Sequence, residues 1–135
     1  MRFFTNLFLS LQNYWLYLHT SNQSDFCKML THNQKIAFTS ILIEMANADQ
    51  CIHISECSVL QHILSLLAVD AETFKIAKEV SLPIALEVMN NASDDAKILL
   101  AKHLVEVIDA DQQVHPAEIK LLNEIAQRLN LHLLF

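Results

Sequence analysis

Not one glycine occurs in this chain of 135 residues, and proline occurs only twice. Turns and coil regions usually draw heavily on both, so their scarcity excludes collagen-like, sandwich and disordered classes. Helices joined by tight connections remain. Hydrophobic residues make up 53% of the sequence, ample for a buried core, and the length fits one domain.

The punctuation supports an all-α reading of about six to seven helices. "THNQ", from Thr31 to Gln34, has the Ser/Thr-x-x-Glu/Gln form in which hydroxyl and amide satisfy each other's exposed backbone groups. A helix is therefore predicted from about Asn33 to Asn47, with Ile36, Ile43 and their neighbours on its buried face. A second follows from about Ile54 to Leu67, and Asp70 caps a third through roughly Val80. Pro83 suits the first turn of a fourth, ending at Asn90 and Asn91, which tolerate the left-handed conformation. Ser93 starts a fifth, with Asp94 and Asp95 where the helix dipole favours anions, and with Ile98, Leu99, Ala101, Leu104, Val105 and Ile108 as its apolar positions. The last runs from Pro116 to near Asn130, another acceptable left-handed cap.

Residues 1–24 read as an N-terminal extension ahead of a helical domain over 25–135. Asn6, Ser10 and Asn13 share one helix face, and Phe3, Leu7, Leu11, Trp15 and Leu18 another. Polar interruptions argue against a spanning helix, and no small-residue cleavage pattern follows. Packing on the core is the simpler use of such a segment; peripheral contact with a membrane through residues 3–18 is the other.

The formal net charge of −6 disfavours nucleic acid, which needs clustered Lys and Arg. Three cysteines, Cys27, Cys51 and Cys57, lack framework spacing and point to a reducing cytoplasm. Glu72 with Lys75, and Lys78 beside Glu79, read as solvated faces. Catalysis finds little footing. Cys51, His53 and Cys57 lie close in "CIHISEC", but the repeat described next does not preserve the thiols, so the chain is read as a non-enzyme.

That repeat pairs "MANADQCIHISECSVL" (45–60) with "VIDADQQVHPAEIKLL" (107–122) at an offset of 62. Glu44 matches Glu106, Asp49 matches Asp111, His53 matches His115 and Glu56 matches Glu118. Each copy spans a helix end, a turn and the next helix start, making two similar helical hairpins. Glu56 and Glu118 fall at the third helical position, where a glutamate can reach back to the cap amide. Glu44, Asp49, Glu106, Asp109 and Asp111 instead crowd helix C-terminal ends, where the dipole disfavours anions. A bound cation would compensate, as would simple exposure to solvent. Carboxylates suit Ca²⁺, Mg²⁺ or Mn²⁺; His53 and His115 would shift preference toward Zn²⁺.

"NADQCIHISE" (47–56) and "DADQQVHPAE" (109–118) resemble the turns of the bacterial tellurite-resistance TerB-like family, over roughly residues 31–131. The resemblance implies two helical hairpins related by a pseudo-two-fold. It also implies an acidic metal centre formed by Asp49, Glu56, Asp111 and Glu118, with Glu44 and Glu106 behind them. Gln50 and Gln112 depart from it, standing where the family has glycine; a left-handed glutamine would cost on the order of 1 kcal/mol. Two functions follow as expectations. One is a cytoplasmic metal-binding protein of stress or tellurite resistance. The other is a helical protein-interaction module, co-chaperone-like or membrane-peripheral, with a second copy of the chain among its admissible partners.

Overall fold

The computed structural model describes residues 29–48, 54–110 and 115–131, with the side chains of 54–57 left aside. These residues form α1 (His32–Ala46), α2 (Ile54–Leu66), α3 (Ala71–Glu79), α4 (Leu82–Asn90), α5 (Asp94–Asp109) and α6 (Pro116–Arg128). No strand occurs among the described residues, so the all-α expectation holds. The amphipathic segment at 3–18 and the cysteines' side chains lie outside them.

Helix starts follow local capping chemistry. The Thr31 hydroxyl accepts from the Gln34 N–H at 3.1 Å while the Gln34 side chain accepts from the Thr31 N–H at 3.1 Å, completing the expected capping box. Asp70 accepts from the Thr73 N–H at 2.7 Å, and Ser93 from the Ala96 N–H at 3.2 Å. The bond from the Thr73 backbone, then that from its side chain, holds the Asp70 carboxyl below its ordinary range.

Helix ends differ from expectation at one place. Asn130 is left-handed as expected, with φ 54°, but Asn91 is right-handed, with φ −90° and ψ 0°. Its amide donates to the Glu87 carbonyl at 3.2 Å, so the side chain satisfies an orphan acceptor without a left-handed turn. Ala68 takes the left-handed position instead, at φ 55°. There the Ala68 N–H donates to the Ser65 carbonyl at 3.1 Å and the Val69 N–H to the Leu64 carbonyl at 2.9 Å, the paired bonds of a Schellman cap. Alanine pays for its Cβ in this conformation. Ala68→Gly should therefore raise stability by about 0.5–1 kcal/mol, the steric relief less the added freedom of the unfolded chain. A urea midpoint equal to or below that of the parent would show the turn to be unstrained.

Helix α1 is the hub, packing on α3, α4, α5 and α2. Its buried residues are not confined to one stripe: Ala37, Phe38, Thr39, Ser40, Ile41 and Leu42 run consecutively. A helix surrounded by others has no solvent face to spare. This corrects the expected buried face, because Ile36 and Ile43 are only half-buried. The two buried hydroxyls stay satisfied, Thr39 donating to the Lys35 carbonyl at 2.8 Å and Ser40 to the Val80 carbonyl at 3.1 Å.

Helix α5 is the second core element. Its predicted apolar positions, Ile98, Leu99, Ala101, Leu104, Val105 and Ile108, are all buried. One continuous cluster joins α1 and α5 to Ile63 and Leu67 near the end of α2, Leu86 and Met89 of α4, and Leu122 and Ile125 of α6. The exposed pairs Glu72 with Lys75 and Lys78 with Glu79 lie outside this core, as expected. No helix among the described residues is long and apolar enough to cross a membrane.

Candidate functional site

The helices that flank the acidic turns recur in step with the repeat. Helix α2 starts at Ile54 and α6 at Pro116, while α1 ends at Ala46 and α5 at Asp109. Asp49 and Asp111, with Gln50, Gln112 and His53, fall outside the described residues, as does the side chain of Glu56. The remaining predicted ligands, Glu44, Glu106 and Glu118, occupy three different environments.

Glu44 is exposed on α1. Glu118 is the opposite case at 1% exposure, and its Oε1 accepts from the His115 backbone N–H at 3.3 Å. This is the reach from the third helical position to the cap anticipated for it, and it also places negative charge at the positive end of α6.

Glu106 sits in the last turns of α5, where the sequence reading invoked a cation or exposure to offset the helix dipole. Its compensation comes from α5 itself. Lys102 Nζ lies 3.2 Å from Glu106 Oε1, and His103 Nδ1 lies 3.2 Å from Oε2. An ionised carboxylate only accepts, so the His103 hydrogen belongs on Nδ1. From the sequence His103 was expected to pack without a patterned partner; it has one three residues on, and Lys102 has the same partner four residues on, both at helical spacing.

Burial governs the electrostatics of this cluster. His103 is 3% exposed with its ring edge-on to Phe38, centroids 6.1 Å apart, and desolvation pushes its pKa below the ordinary value despite the Glu106 bond. Lys102 is likewise pushed down by desolvation, against the pull of Glu106. Burial alone would raise Glu106, but the His103 hydrogen bond and the Lys102 charge outweigh it and hold the carboxyl low.

On its outer side Glu106 borders a cleft of about 470 Å³ between α2 and α5. Helix α2 contributes Ser58, Val59 and His62, and α5 contributes Val105, Glu106, Asp109 and Ala110. Both copies of the repeat therefore meet in one depression. Glu106 and Asp109 share a helix face at three-residue spacing, as expected. Asp109 is exposed and, among the described residues, has no basic side chain within ion-pair distance.

Among the described residues, no three His, Cys, Asp or Glu side chains are grouped so as to hold a metal ion. Glu106 has both oxygens engaged by Lys102 and His103, and Glu118 closes a helix cap, so each has a structural use that needs no ion. In the sequence His62 has no spacing relation to Glu106 or Asp109. Only the packing of α2 on α5 puts it beside them.

No protein-family model, curated protein or solved structure matches the chain.

Proposed function

We propose that this chain is a non-enzymatic, cytoplasmic helical interaction module of the TerB-like kind, which docks other proteins in the cleft between α2 and α5. The observation that carries this reading is the cleft itself, lined by residues of both copies of the repeat. Val59 and Ala110 supply apolar surface over the buried Val105, while the exposed Asp109 supplies oriented charge, the mixture that favours specific recognition. The turn glutamate Glu118 and the Glu106 network serve the scaffold, holding α6 and the end of α5 in place.

The competing reading is a divalent cation at Asp49 and Asp111, in a metal-stress or tellurite-resistance role. Its support is the recurrence of helix boundaries around both acidic turns, with α2 and α6 starting at matching positions of the repeat. Thermal unfolding of chelator-treated protein with Ca²⁺, Mg²⁺, Mn²⁺ or Zn²⁺ restored distinguishes the two. The docking reading expects no ion to move the midpoint. An ion filling a site to 100 times its Kd would add about 2.7 kcal/mol. Such a shift in the parent, lost in an Asp49→Asn/Asp111→Asn variant, would replace the docking reading with the metal one.

A further inference from the structure

We infer that the chain's own N-terminal segment, residues 3–18, docks as an amphipathic helix along the outer side of α1, with Leu11, Trp15 and Leu18 seated over Ile36 and Ile43. This seat is separate from the α2–α5 cleft, and the inference stands whether or not that cleft docks a protein.

The seat is read from α1. Enclosure of this hub by its neighbours is incomplete on the side of Asn33 and Glu44, which are exposed. A helix side left to solvent ordinarily carries polar residues. Beside Asn33 and Glu44 stand two isoleucines instead, Ile36 and Ile43, both half-buried. At 3.6 residues per turn and 1.5 Å per residue, their spacing of seven puts them within about 20° of each other and about 10 Å apart along the axis. Ser40, one turn from each, donates to the Val80 carbonyl at 3.1 Å, which brings the half-buried Val80 beside them. Together they form a shallow aliphatic strip that the described helices cover only in part.

The occupant is read from the chain. The described residues begin at Met29, and Leu30 packs in the core just ahead of α1. The link 19–28 therefore starts from the N-terminal end of α1 and can span up to about 33 Å, enough for the segment before it to turn back and run antiparallel along α1. Ser21 and Asn22 in that link suit a reversal. Leu11 and Leu18 have the same spacing of seven as Ile36 and Ile43, so this direction sets Leu18 beside Ile36, Leu11 beside Ile43 and Trp15 between them. Tethering favours this occupant over any other. A short flexible link holds the segment at an effective concentration of order mM, against which a partner protein or a second copy has to compete.

Trp15 is the chain's one tryptophan, so its fluorescence reports on the seat directly. In the full chain, acrylamide should quench it several-fold more weakly than free N-acetyltryptophanamide. Ile36→Lys/Ile43→Lys should raise quenching to the level of the free compound while circular dichroism still shows cooperative urea unfolding, because both side chains lie at the rim of the core. Leu11→Ser/Leu18→Ser, outside the described core, should release Trp15 in the same way, and it keeps the test decisive if the isoleucine variant fails to fold.

Quenching in the parent as strong as that of the free compound would overturn the inference. Shielding that persists in the folded isoleucine variant would overturn the seat on α1. Shielding lost on dilution would replace the tethered segment with that of a second copy. Vesicles of phosphatidylcholine and phosphatidylglycerol that blue-shift Trp15 as readily in the parent as in the isoleucine variant would overturn the inference in favour of a membrane surface.

Discussion

Replacing Phe38 with alanine is expected to cost about 3–5 kcal/mol, the largest single effect available in this molecule. Phe38 is fully buried on α1, the helix on which four of the other five described helices pack most closely. Its removal takes away a large apolar surface and leaves a void that the close-packed core cluster around it can fill only in part. The edge contact with the His103 ring disappears as well. Domains of this size have roughly 5–15 kcal/mol of stability in total, so the variant should unfold at a much lower urea concentration. The slope of the transition should stay the same if α1 is a hub and the loss is one of packing. A cost below about 1 kcal/mol, the range of Ile→Val substitutions, would mean that α1 is not the centre of the core.

The second large effect belongs to Glu106. Glu106→Gln keeps the shape but removes the charge and leaves one acceptor oxygen for two donors, Lys102 and His103. Breaking a fully buried pair costs about 3–5 kcal/mol, but the Glu106 side chain is 37% exposed and solvent screens part of the interaction, so about 2 kcal/mol is expected. Urea denaturation at neutral pH measures it directly. A change within about 0.5 kcal/mol would assign the network no role in holding the end of α5.

The same network predicts the pH profile. Desolvation depresses His103 in the folded protein, so the unfolded chain takes up a proton more readily once pH falls below 6.5. Stability should therefore be fully present above that value and decline as pH falls toward the folded pKa. Glu106 acts in the same direction at lower pH. Its depressed pKa contributes stability above 4.5, and that contribution is lost as pH falls through the folded value. His103→Gln should flatten the first part of the decline and shrink the Glu106 part, because the His103 hydrogen bond helps to hold that carboxyl low. An unchanged profile in that variant would refute the assignment to His103.

Several features were legible in the sequence because they are local. Thr31, Asp70 and Ser93 cap helices as their neighbours predict, since each closes a bond only three residues along the chain. The core face of α5 follows from helical periodicity, and Glu118 reaches its cap amide because both ends of that bond lie in one turn. The Lys102–Glu106 and His103–Glu106 contacts belong here too, because helical spacing alone brings the partners together, although a cation or solvent was the expected answer to the dipole at Glu106. The choice of Asn91 against Ala68 for a left-handed turn was not legible. Local preference favours asparagine over alanine in that conformation, and a side-chain bond to the Glu87 carbonyl held Asn91 out of it while the Schellman cap put Ala68 into it.

The amino-acid order alone determined an all-helical chain with six of its helices placed nearly to the residue, because capping and periodicity act within a few turns. Only the tertiary structure decided that α1 would be enclosed by its neighbours, that Ile36 and Ile43 would be left half-exposed, and that His62 would face Glu106 and Asp109 across a cleft. Those outcomes depend on which helices pack together and at what rotation. That is set by the competition of all apolar faces for one core, a sum over distant contacts that no local window contains.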